Sequence, residues 1–203
     1  MNSDYEMWMN KVKEVLNDGS DFTISSVDEF NKGIGHIFGL IKDSFLLYKN
    51  ESYPSVYYLA VIIIEEVAKL HMGLFTSHSN PTNHRKKGKL YDHKTKDIIG
   101  CNPSIPLGYR LNAAIGEPAI KKIYEEAYSG IMKEKREQAF YFSKKNGQFI
   151  IPNELYSKED AKNILLFAIE AFDDHLVGYT NYSMEISKET DRIFDKLCSG
   201  EQV

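Results

Sequence analysis

Apolar residues recur at three- and four-residue spacing through most of this chain, which predicts amphipathic helices rather than strands. Tyr5, Trp8, Met9, Val12, Val15 and Leu16 mark one face of a first helix over 3–17, with Ser3 as its expected cap and Asn17-Asp18-Gly19-Ser20 as its end. Ser26 and Glu29 have capping-box spacing, and behind them Phe30, Ile34, Ile37, Phe38, Ile41, Phe45 and Tyr48 form a stripe that runs to about Lys49. Pro54 suits the first turn of a third helix, expected to reach about Phe75 through the nine apolar residues Val56 to Ile64. A helix apolar on every side belongs at the centre of a bundle.

Beyond it, Thr76 to Lys89 reads as a loop broken by Pro81 and Gly88. A short helix is expected from His93 to Ile99 and a connection from Gly100 to Pro106. Past Pro118, the residues Ile120, Ile123, Tyr124, Ala127 and Ile131 predict one further helix that carries on toward Arg136. Phe140-Tyr141-Phe142 and Phe149-Ile150-Ile151 flank Asn146-Gly147, a pair that readily takes the positive φ angles of a tight turn, so a β-hairpin is expected there. Ser157 and Asp160 open the next helix, lined by Ile164, Leu165, Ala168, Ile169, Phe172 and Leu176 and ended by Gly178, and a weaker amphipathic segment follows over 184–198. No repeat, low-complexity tract or long linker divides residues 1–203. The expected fold is mainly all-α, a single helical bundle carrying one small hairpin.

Composition narrows the functional classes. The net charge of −4 gives no global attraction to nucleic acid, so any such affinity must be local. Cys101 and Cys198 belong to no paired spacing, which argues against a disulfide framework or a zinc site and fits a reducing cytoplasm. The acidic, polar start of the chain does not resemble a secretory signal. Glu65 and Glu66 stop the apolar run well short of the ~20 residues that cross a bilayer, so no membrane partner is expected.

The chemistry concentrates in two places. Glu65 and Glu66 end the apolar run, and Glu66 stands three residues before Lys69, within pairing distance on a helix. Acids so placed are costly to bury unless partnered, so they are expected to face a cationic cleft or another subunit; the alternative is a solvent-facing Glu65 and a plain Glu66–Lys69 surface pair. Between His84 and Lys96 lie Arg85, Lys86, Lys87, Lys89, Lys94 and Lys96 against the single acid Asp92, a local charge of +5 that would attract a phosphate backbone or simply be a solvated loop. His93, within His93-Lys94-Thr95-Lys96, is a candidate general acid or base, because imidazole titrates near neutrality. Arg136 and Tyr141 could bring a fixed cation and a hydroxyl to the same cleft. Other motifs fail. Gly33, Gly35 and Gly39 lie within a helical stripe with no preceding strand and are expected to serve close helix packing rather than phosphate binding. Glu-x-x-His pairs, a Gly-x-Ser-x-Gly elbow and His-Glu-x-x-His are absent, and Asp173-Asp174-His175 would point in different directions on a helix. No metal site or cofactor is expected.

Taken in order, Tyr57-Tyr58-Leu59-Ala60, Glu65-Glu66-Val67-Ala68-Lys69, Asp92-His93-Lys94-Thr95-Lys96, Lys135-Arg136-Glu137-Gln138-Ala139-Phe140-Tyr141 and a hairpin ending at Pro152 resemble the AbiV family of bacterial abortive-infection proteins. The resemblance spans about residues 30–179, with the first and last helices packing on that core. It implies a cytoplasmic, HEPN-like helical bundle that acts in antiphage defence, with a homodimer, RNA and a phage-encoded activator protein as candidate partners and no DNA specificity. Many HEPN-like proteins cut RNA without metal, using an Arg and a following His from each of two subunits. Here Arg85 precedes His93 by seven intervening residues, and Arg136 is followed by no histidine until His175. On this expectation His93, Lys94 and Lys96 would carry catalysis with Glu65, Glu66 and Lys69 holding the cations in place, while Arg85, Lys86, Lys87, Lys89, Arg136 and Tyr141 would bind phosphate. The alternative is a non-catalytic helical module that sequesters a host or phage component.

Overall fold

The computed structural model describes residues 2–18, 22–76, 88–102 and 109–200. Among these, nine α-helices run in the order α1 (Asn2–Asp18), α2 (Val27–Lys49), α3 (Tyr53–Gly73), α4 (His93–Gly100), α5 (Tyr109–Ile115), α6 (Glu117–Ser129), α7 (Ile131–Gln138), α8 (Lys158–Leu176) and α9 (Asn181–Ser199). A two-stranded hairpin, β1 (Ser143–Lys145) and β2 (Gln148–Ile150), sits between α7 and α8. The mainly helical bundle with a small hairpin is the fold that the periodicity predicts.

α3 is its axis. Val56, Ala60, Val61, Ile63, Ile64 and Val67 are buried on successive sides of that helix because α2, α8 and α4 pack around it. The α2 stripe of Phe30, Ile34, Ile37 and Ile41 closes one side, and Leu165, Phe167, Ala168, Ile169 and Phe172 of α8 close another. α9 covers α2 and α8, whereas α1 lies over α4 and the 3-10 turn Lys89–Tyr91. Beneath α1, Val15, Leu90, Ile99, Ala68 and Met72 form a second, smaller core. No helix among the described residues is long and apolar enough to cross a membrane.

Local chemistry fixes several ends. The Ser26 hydroxyl accepts from the Glu29 amide, although the Glu29 carboxylate returns its bond to Ser25 rather than to Ser26. Ser157 with Asp160 makes the full reciprocal box at the start of α8, and Thr180 with Ser183 does the same for α9. Ser3 lies inside α1 rather than at its cap, and α3 ends at Gly73, short of Phe75. In the hairpin, Asn146 and Gly147 take φ of 52° and 83°, the geometry a two-residue turn requires. The strands are shorter than the aromatic runs predict, because the amides of Phe140 and Tyr141 are spent on the Glu137 carbonyl at the end of α7.

Two departures matter for the site. The helix expected to run unbroken toward Arg136 is instead two helices, because Gly130 adopts φ of +85° and caps α6 through the Ala127 carbonyl. The chain turns there, and α7 swings back toward α3. The sequence also gave no warning of α5, whose Arg110 bonds Glu170, Asp173 and Asp191 and lies 4.5 Å above the Phe194 ring, tying α5 to α8 and α9.

Glycine also sets how close helices come. A Cβ on Gly100 would sit 2.5 Å from the Ile64 carbonyl oxygen, so α4 rests directly on the backbone of α3. Gly33 instead leaves room for the Leu70 side chain of α3, whereas nothing approaches Gly39 within 4 Å.

Candidate functional site

One residue beyond the apolar run of α3, Glu65 is buried to 1% exposure. An isolated carboxylate there would be prohibitively desolvated, so the groups around it define the site. Three elements supply them. From α4, His93 Nδ1 lies 2.8 Å from Glu65 Oε2, and Lys96 Nζ donates to the same oxygen at 2.6 Å. From α7, Arg136 donates to Glu65 Oε1. Lys96 and Arg136 are themselves buried, so three cationic or titratable groups converge on one carboxylate with little water among them.

The sequence accounts for each position. Asp92 caps α4, accepting from the Thr95 amide at 2.9 Å and the Thr95 hydroxyl at 2.8 Å, and so places His93 at the first helical residue. Lys96 follows three residues later on the same face. The close seat of Gly100 on Ile64 holds α4 against α3. α7 is held by the Tyr156 hydroxyl, which donates to the Lys135 carbonyl at 2.5 Å, and by Glu126, which accepts from both Lys135 and the buried Tyr57 hydroxyl.

The His93 side chain is 37% exposed, so the ring is anchored at one edge and open to solvent at the other. Arg136 comes within 3.1 Å of His93 Nδ1, which places a guanidinium beside the ring. The same nitrogen, Nδ1, thus faces both an acceptor carboxylate and a guanidinium that can only donate.

Asp97 completes the cluster and was not foreseen. It stands four residues after His93, one turn along the same face of α4, a spacing that could have singled it out. It is fully buried, and neither carboxylate oxygen has a hydrogen-bond partner. Burial, and then the nearby charge of Glu65, push its carboxyl up to about 8 against the opposing pull of Arg136 and Lys96. At neutral pH Asp97 is therefore largely uncharged.

Not every sequence candidate joins this cluster. Glu66 and Lys69 pair with each other at 3.4 Å, and Lys69 lies over the Phe22 ring, in a separate groove that they line with His36 and Leu70. No hydrogen bond or ion pair links either residue to Glu65, so Lys69 does not bridge the acids to the site cations; adjacent residues on a helix diverge by about a quarter turn or more. Lys94 is exposed, its stem against Gly130. Lys89 faces α1, 3.7 Å from Glu14. Tyr141 is exposed and packs edge-on against Phe140 rather than toward Arg136. Arg85, Lys86 and Lys87 lie outside the described residues. His175 is buried against His71, far along the chain from Arg136, and both imidazoles are held below their ordinary range by burial, His175 to about 3. Among the described residues no group of three or more His, Cys, Asp or Glu is arranged to hold a metal ion.

The sequence model of the HEPN-type AbiV family matches residues 31–171, from α2 to the middle of α8. The chain belongs to the AbiV family. That match takes in every element of the Glu65 cluster, and it places the protein among the abortive-infection proteins of antiphage defence. Neither the curated proteins nor the solved structures provide a match to this AbiV chain.

Proposed function

We propose that this AbiV protein arrests phage propagation by acting on RNA as a HEPN-like homodimer, cleaving it without metal in the bacterial cytoplasm. The observation that carries this reading is the 2.8 Å contact of buried Glu65 with His93 Nδ1; with Nδ1 engaged by the carboxylate, Nε2 is the nitrogen that acts on substrate. His93 is the catalytic residue. Its Nε2 takes the proton of a ribose 2′-hydroxyl, the 2′-oxygen attacks phosphorus, and the bond to the 5′-oxygen breaks to leave a 2′,3′-cyclic phosphate. The departing oxygen takes a proton from a second imidazole, which a two-fold related copy supplies. Exposed Lys94 meets the phosphate, and Arg136 offsets charge that develops on its oxygens. Glu65, with Lys96, is a positioning residue.

Purified protein incubated with total cellular RNA in a chelator tests the reading. Products ending in cyclic phosphate and lost in His93→Ala are expected; metal-dependent cleavage, or none, overturns it. One observation favours a second reading, in which the module binds and sequesters a host or phage component: Lys96 and Arg136 both spend their charge inward on Glu65. Toxicity that survives His93→Ala with no RNA cleaved selects that reading. Co-expression of phage proteins would identify an activator by the growth arrest it triggers.

A further inference from the structure

The hairpin presents aromatic surface that the bundle does not use. Phe142 and Phe149 are 69% and 61% exposed, and their ring centroids lie 5.2 Å apart at an interplanar angle of 36°. Register explains the pairing. Lys144 stands opposite Phe149 and Ser143 opposite Ile150, so the alternation of strand side chains puts Phe142, Lys144 and Phe149 on one face. Two strands of three residues bury too little to require such rings, and a contiguous exposed aromatic surface marks an interaction site.

Charge and position indicate the occupant. From Ala139 to Asn153 the chain has no acidic residue but carries Lys144 and Lys145, in a protein of net charge −4. Lysines are depleted in the cores of protein–protein interfaces but suit a phosphate backbone, and aromatic rings beside cations form the platform on which unpaired bases stack. The hairpin is joined to the site. Phe140 packs on Tyr58 with centroids 4.9 Å apart, and Tyr58 precedes Glu65 by two turns on the same face of α3, about 10 Å along the axis.

We propose that this face of the hairpin is a base-stacking platform that selects single-stranded RNA and feeds it to the His93 site, with Phe142 and Phe149 under the bases and Lys144 on the backbone. The inference rests on the proposed action on RNA. A duplex keeps its bases stacked on one another and gains nothing from the rings, so unpaired segments are the substrate class.

Fluorescence anisotropy of the full chain with a labelled 2′-O-methyl oligoribonucleotide of about twelve residues tests this, because that probe offers bases and phosphates but no attacking hydroxyl. Phe142→Ala with Phe149→Ala should weaken binding about ten- to a hundredfold, while the Phe→Trp pair retains it and the Phe→Leu pair does not. A blunt RNA duplex should bind weakly and equally to all variants. Far-UV circular dichroism and the melting temperature of each variant establish that the bundle is intact. Unchanged single-strand binding by the alanine pair overturns the platform, and cleavage to cyclic phosphate dependent on His93 then still upholds the function. Failure of the wild type to bind the single strand also overturns it. So does a drop in sedimenting mass for the alanine pair, which would make the face a contact between copies.

Discussion

Replacing Glu65 by leucine leaves two buried cations, Lys96 and Arg136, without the carboxylate that compensates them, and leaves His93 Nδ1 without its acceptor. Breaking a buried ion pair by removing one partner costs about 3–5 kcal/mol. For a chain of this length each kcal/mol moves the melting temperature by about 2–4 °C, so the loss should be on the order of 6–20 °C. The sign reverses when the cations go too. Glu65→Leu combined with Lys96→Met and Arg136→Met replaces the whole ion cluster with apolar groups, and such replacements are often neutral or stabilising. Urea denaturation followed by circular dichroism, with matched slopes for all variants, measures both quantities. A single variant that loses less than about 1 kcal/mol, or a triple variant no more stable than the single, would show that Glu65 is not the electrostatic centre assigned to it.

Asp97 gives a pH signature. Its carboxyl is raised to about 8 in the fold, so its contribution is fully present below the ordinary carboxylate range and is lost as pH rises from about 4 to 8. Asp97→Asn should therefore match the wild type near pH 4 and exceed it by on the order of 5 kcal/mol near pH 8, whereas a constant offset across that range contradicts the assignment. Gly100→Ala drives a methyl group against the Ile64 carbonyl and should cost about 1–3 kcal/mol in chemical denaturation while lifting α4, so RNA cleavage should fall with it. Gly130→Ala forces an alanine to φ of +85° and crowds the Lys94 stem; a loss of about 1–2 kcal/mol is expected, and an unchanged melt would mean that α6 and α7 tolerate a different joint.

The elements that announced themselves carry their signals within a few residues. α2 has its stripe and Ser26, α8 has Ser157 with Asp160, and the hairpin has Asn146-Gly147, each a local pattern that tertiary packing did not need to override. α5 has only Leu111 buried in seven residues, too few for a period to show. Gly130 was silent because a lone glycine between helical residues is compatible with an unbroken helix as well as with a left-handed cap. The site was half legible. Glu65 and His93 stood out as an acid in an apolar helix and an imidazole among lysines, but their separation by 28 residues, and of Glu65 from Arg136 by 71, leaves the convergence to the path of the chain. Sequence proximity suggested Glu66 and Lys69 as partners of Glu65, and helical geometry turned them into another groove.

The seat of Gly100 on Ile64 bears on which parts of the Glu65 cluster can move independently. A helix resting on another's main chain cannot glide or roll without opening a void, so the imidazole and its acid travel as one body. The guanidinium reaches them from a separate helix, α7, which is joined to α6 at Gly130 and steadied by the Tyr156 hydroxyl and Glu126. A displacement of α7 alone would therefore separate Arg136 from Glu65 and leave the Glu65–His93 contact in place.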